Sequence, residues 1–374
     1  MSLYIDIHAL QTLPPSNINR DDTGSPKTAT FGGVARQRVS SQAWKHAIRN
    51  DLKTRLSAEE MGIRTKRVVQ KIGAAVMQID DSWSEVDAET QVEALLKTAG
   101  FKVEKPKKKQ GTEDEGVAES GYLLFLSNRQ IHNAAQAIVS GEKIAKKEAK
   151  EIFDQNHSID LALFGRMVAD DASYNVDASV QVAHAIGVSG AEPEFDFFTA
   201  VDDAVRDAEE TGAGMMGTVE MMSSTLYRFA TINLDDLAKN LGDSEAAIKA
   251  SVEFVDAFMT SMPTGKQNTF ANRTLPDAVV VTVRSDRPVS WVNAFETPVA
   301  PNSETGRRVL AARKMAEEAQ AIDEMYDSKP ESAWVVALPA LKAELEALGQ
   351  GVNRSELLNG LRSALEGLVA EGDQ

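Results

Sequence analysis

Between Arg20 and Arg49 the sequence concentrates side chains that can grip a polyanion. Arg20, Lys27, Arg36 and Arg38 lie in one stretch, and Ser40-Ser41 place a helix start directly after them. The amide N–H groups and positive dipole end of such a start favour phosphate. Gln42, Lys45 and Arg49 follow at three- and four-residue spacing, which puts them on one helical face. Gly32-Gly33 would let backbone approach a sugar–phosphate chain with no side chain between. A salt-bridged surface helix beside an ordered loop would use the same residue types, so both readings stay open at this point.

Other chemistries find less support. Gly212-Ala213-Gly214-Met215-Met216-Gly217 fits a glycine-rich dinucleotide pattern, but acidic Asp207–Glu210 precedes it and an alternating strand follows. A dinucleotide site needs an apolar strand before and a helix start after. Gly265-Lys266 lacks the flanking residues of a phosphate loop. His8, His46, His132, His157 and His184 are scattered without zinc-like spacing. There is no cysteine, hence no thiolate ligand or nucleophile. Of the acidic doublets only Asp21-Asp22 sits in the basic stretch, where a metal-dependent ribonuclease would want carboxylates.

These groups need elements to position them. Leu3, Ile5 and Ile7 alternate with Tyr4, Asp6 and His8, a half-buried strand. Gln11 to Arg38 shows no periodicity and reads as a long functional loop. Trp44, Ile48, Leu52 and Leu56 form the apolar stripe of a helix capped by Ser40 or Ser41. From Ser57 to His157 the patterns are helical, interrupted by the Lys102–Lys109 loop, and Ser127 and Gln130 have capping-box spacing. Strand patterns return at Ile159, Leu161 and Leu163, at Val176 to Val182, and along Met221 to Ile232. Gly187 to Gly217 looks irregular. A helix begins at Ser244, Val279 to Val283 is a strand, and the tail is helical apart from an extended Ala333–Ala337. The order reduces to βαββαβ, that of ferredoxin-like domains and RNA-recognition modules.

The totals fit a soluble globular chain: 43% hydrophobic and 26% charged over 374 residues, with no apolar run of membrane-spanning length. With Asp6 inside the first apolar stretch and no basic leader, a cytoplasmic location is expected. The net charge of −16 is unevenly placed. Met1 to Lys71 holds twelve Lys and Arg against six Asp and Glu, whereas Glu192 to Thr260 holds four against fifteen. One basic and one acidic face would suit a protein stacking head to tail on a polyanion.

The same residues carry a family resemblance. Asn19-Arg20-Asp21-Asp22, Lys27, Phe31-Gly32-Gly33, Arg36-Gln37-Arg38-Val39-Ser40-Ser41-Gln42 and Lys45 resemble the N-terminal signature of the CasC family. These are the guide-RNA-binding backbone subunits of the type I-E CRISPR surveillance complex, Cascade. The likeness continues at Asp160–Met167, Ala183–Ile186, Asp196–Asp203, Gly217–Glu220, Tyr227–Leu234, Lys266–Thr269 and Asn293–Glu296. It weakens in Lys102–Gly121 and after Val299.

The resemblance implies an α+β hand: a ferredoxin-like, RRM-like palm (1–57, 158–186 and 218–374, the last with C-terminal helices), a helical fingers insertion (58–157) and a protruding thumb (187–217). It implies RNA contacts by Arg20, Lys27, Arg36, Arg38, Ser40, Ser41, Gln42, Lys45, Arg49, Arg166 and Met167, with Met167 wedged between bases. Arg166-Met167 is expected to end a strand. Implied partners are crRNA, the target DNA strand, further copies of the chain and other Cascade subunits, with no membrane. No cofactor, metal or catalytic residue is expected; the alternative is a ribonuclease using Asp21 or Asp22.

Overall fold

The computed structural model describes residues 2–105, 117–200, 215–300 and 305–372. It has two compact units: residues 1–51, 182–231 and 254–374 form the first, and residues 52–181 and 232–253 the second.

The first unit is built on a mixed sheet. Its strand order is Gln350–Gly351, Ser332–Ala337, Ala278–Arg284, Tyr4–Ser16, Met215–Asn233, Ala185–Gly187, Val34–Val39, Thr28–Phe31. The first strand pairs antiparallel with Ala278–Arg284, Ile5 opposite Val283 and Ala9 opposite Val279. With helices Ser41–Arg55 and Ser244–Thr260, the inner four strands follow chain order 4-1-3-2, the arrangement a βαββαβ sequence gives in a ferredoxin-like domain. The α+β, RRM-like fold expected from the sequence is therefore present. Leu10, Tyr227, Val280, Trp291, Phe295 and Met315 are among the residues of one buried core on this sheet. A buried polar column crosses the same region: His8 stacks on Trp291 at 3.5 Å and its Nδ1 meets the Tyr227 hydroxyl at 2.9 Å.

Several local expectations are corrected. The stretch from Gln11 is loop only in part: the first strand runs on to Ser16, and Pro14-Pro15 within it break any alternation. Thr28–Phe31 and Val34–Val39 then form a hairpin closed by Gly32 and Gly33, both at positive φ. Ile159–Phe164 is a short helix with five of its six residues buried; a brief apolar run fits either period. Of the Val176 to Val182 pattern, only Val180–Val182 is strand. The described residues of the 187–217 segment are not all irregular. Its Glu194–Ala200 pairs antiparallel with the start of Met215–Asn233, Phe198 opposite Gly217. Residues 201–214, including Gly212 and Gly214, and residues 106–116 of the basic loop lie outside the described residues.

In the second unit, helices Val68–Ile79, Glu85–Ala99, Asn128–Val139 and Lys146–Asp154 surround a core containing Ile72, Val92, Leu96, Phe101 and Phe153. The capping box is present: Ser127 Oγ accepts from Gln130 N–H at 2.9 Å, and Gln130 Oε1 accepts from Ser127 N–H at 3.0 Å. Among the described residues no helix is long and apolar enough to cross a membrane.

Candidate nucleic-acid interface

The hairpin and the helix after it assemble most of the basic constellation. Asn19 is the hub. Its carbonyl accepts from Lys27 N–H at 3.0 Å and its side-chain oxygen from Ser40 N–H at 2.8 Å. Arg38 N–H donates to Lys27 O at 2.9 Å, and Arg38 Nε to Thr28 O at 3.2 Å. Arg20 bridges to Pro26 across the turn that precedes Lys27. Ser40 caps the helix, its Oγ accepting from Ala43 N–H at 3.3 Å. Ser41 N–H donates to His184 Nδ1 at 3.0 Å. Backbone bonds thus hold Arg20, Lys27, Arg38 and the helix start as one connected surface.

Arg20 and Gln42 are exposed, and Lys27, Arg38, Ser41, Lys45 and Arg49 are half-buried. Trp44, Ile48 and Leu52 bury the helix's apolar stripe, as their spacing requires, so Gln42, Lys45 and Arg49 keep a separate face. Trp44 rests on Arg228, whose guanidinium lies 3.7 Å from the Trp44 ring and 4.1 Å from that of Phe258. Arg228 Nη1 donates to Gln11 Oε1 at 2.7 Å and Nη2 to Phe258 O at 2.7 Å. Partial burial lowers the Lys45 pKa.

Three expected contacts are placed otherwise. Arg36 is wholly buried, donating to Gly187 O at 3.0 Å, Phe295 O at 3.1 Å and Glu296 O at 3.0 Å. It fastens the hairpin to neighbouring backbone and presents no charge outward. Gly32 serves the same joint: a Cβ there would collide with the Glu296 carbonyl, so its close approach is to protein. Ser40 is buried at its cap.

Arg166 and Met167 belong to the second unit, and they follow a helix rather than ending a strand. Arg166 is buried, its Nε donating to Tyr174 O at 2.8 Å; burial pushes its pKa down to about 10. Met167 is 82% exposed and so is not part of the core. His157 shares this polar cluster, 3.2 Å from Gln130 Nε2. Burial, then the charge of Arg166, lowers its pKa to about 4, against an ordinary 6.5. Between those values the unfolded chain binds the proton that the folded chain refuses, so stability falls as pH drops from about 6.5 to about 4. Urea denaturation across that window should show a decline that His157→Gln flattens.

The alternative's carboxylate has a structural task. Asp21 Oδ1 accepts from Thr23 N–H at 2.9 Å, Thr23 Oγ1 at 2.7 Å and Ser25 N–H at 3.0 Å, closing the turn before Lys27. The Thr23 hydroxyl chiefly holds its pKa below the usual carboxylate value. Asn19 and His184 are the residues that reading for charge overlooked; only their neighbourhood to Arg20 and Ala185 in the motifs signalled them.

The family model described as CT1975-like protein matches residues 5–359. The chain belongs to that family. It is a CasC-like subunit of a CRISPR surveillance complex. One solved chain titled "CRISPR RNA-guided surveillance complex, pre-nicking" is 34% identical to this CasC-like chain, with a TM-score of 0.83. That match covers 97% of this chain and all of the other. A second, titled "CRISPR RNA-guided surveillance complex", is 29% identical with a TM-score of 0.71, covering 96% of this chain and 99% of that one. No curated protein matches the CasC-like chain.

Proposed function

We propose that this CasC-like chain is a non-catalytic backbone subunit that oligomerises along the guide RNA of a cytoplasmic type I-E Cascade. It grips phosphate and sugar through Arg20, Lys27, Arg38, Ser41, Gln42, Lys45 and Arg49. Arg36, Ser40 and Arg166 act in the grip by holding backbone in place. Met167 serves as the apolar wedge that unstacks the RNA at intervals, leaving the intervening bases to pair with target DNA. The observation that carries this reading is the bonded continuity from Asn19 through Lys27 and Arg38 to the helix start.

Guides differ in sequence, so such a subunit must ignore base identity; cations, hydroxyls and amides on phosphate and ribose do so. In the proposed hand, residues 1–57, 158–186 and 218–374 are palm, 58–157 fingers and 187–217 thumb. The hairpin of Glu194–Ala200 with the start of Met215–Asn233 exposes Phe195, Phe197 and Met216, a surface suited to bases or a neighbouring copy. Other Cascade subunits complete the assembly.

Purified complex should carry RNA, seen as an absorbance ratio at 260 and 280 nm above that of protein alone. RNA-free complex would remove the reading. With Mg²⁺ and complementary RNA no cutting is expected; cleavage abolished by Asp22→Ala would establish the ribonuclease instead.

A further inference from the structure

Resting on the RNA-grip reading, we propose that His184 is itself an RNA-contacting residue, donating its Nε2–H to a phosphodiester oxygen held between Lys27 and Arg38. The ring stands one residue before Ala185, which pairs with Val39, so Arg38 and His184 flank the same rung of the sheet. Its side chain is exposed, and Nδ1 accepts the Ser41 amide hydrogen at 3.0 Å. An accepting Nδ1 fixes the neutral tautomer with the proton on Nε2. Burial, then Arg38 and Lys27, lower the ring's pKa, which keeps it in that neutral state near pH 7.

Capping the helix explains Nδ1 and no more. It uses neither the Nε2–H nor the two cations beside it, and a cap alone would be served by a smaller acceptor such as Asn. A ring anchored at one nitrogen is a fixed donor at the other, and fixed donors bind a phosphate oxygen without reorganising. Because the donor is neutral, it adds affinity without releasing a counterion.

Two isosteres separate the nitrogens. Asn keeps an acceptor near the Nδ1 position and nothing at Nε2; Gln places an amide N–H near Nε2. With the subunit reconstituted beside its partner subunits, Kd is measured for a fluorescein-labelled single-stranded RNA over a salt series. His184→Asn should melt with the wild type yet bind about tenfold more weakly, the effect of one hydrogen bond to a charged oxygen. Its log–log salt slope should equal the wild type's, whereas Lys27→Ala should flatten the slope by about 0.7. His184→Gln should bind more tightly than His184→Asn. Wild-type affinity in His184→Asn would overturn this inference and leave the RNA-grip reading standing. A wild-type complex that binds no RNA would remove both.

Discussion

Arg36→Met should destabilise the first unit by at least about 2 kcal/mol, since two buried carbonyls would lose their donor and each costs about 1–3 kcal/mol. The buried acceptors are Gly187 O and Phe295 O, and a third, Glu296 O, is part-buried. The guanidinium also sits 5.8 Å from the Phe31 ring centre, a contact a thioether keeps only in part. RNA affinity should fall with stability, because the hairpin that carries Lys27 and Arg38 loses its anchor. Chemical denaturation reads the first effect. A change under about 1 kcal/mol would mean that the hairpin is held elsewhere.

The triple variant Lys27→Ala, Arg38→Ala, Lys45→Ala should behave in the opposite way. These side chains are partly exposed, and among the described residues only Arg38 of the three shows a protein hydrogen bond from its charged end, to Thr28 O. Stability should move by less than about 1 kcal/mol. RNA affinity at low salt should drop by roughly a hundredfold or more, and the log–log salt slope should shrink by about 2, near 0.7 for each lost phosphate contact on a single strand. The loss should be uniform across unrelated RNAs, because phosphate contacts carry no base information. Fluorescence anisotropy over a salt series measures all three. A loss confined to one RNA sequence would reassign these residues to base reading.

The sequence made the palm legible wherever its residue types kept a clear period. Met221 to Ile232 alternates and is strand, and the Trp44, Ile48, Leu52 stripe is helix. Two covered segments carry no such period: Leu10 to Leu13 lies in a strand buried on each side, and Ile159–Phe164 packs as a helix with almost every residue inside. At the interface, residue type identified the cations but could not say which were outward. Arg36 and Arg38 look alike in the sequence. Only tertiary placement makes one a buried brace against Phe295 and Glu296 and the other a half-exposed neighbour of His184. Gly32 likewise signalled close approach without saying to what, and the partner proved to be Glu296.

Everything proposed for RNA depends on cationic and polar side chains around Asn19 meeting a ribose–phosphate strand regardless of its letters. Affinities for two unrelated single-stranded RNAs of equal length, taken across a salt series with the reconstituted subunit, test that directly. The expected result is two Kd values within about threefold of each other and a shared slope near −3, as about four phosphate contacts per subunit would give. A flat salt dependence, or a preference of roughly a hundredfold for one sequence, would contradict it.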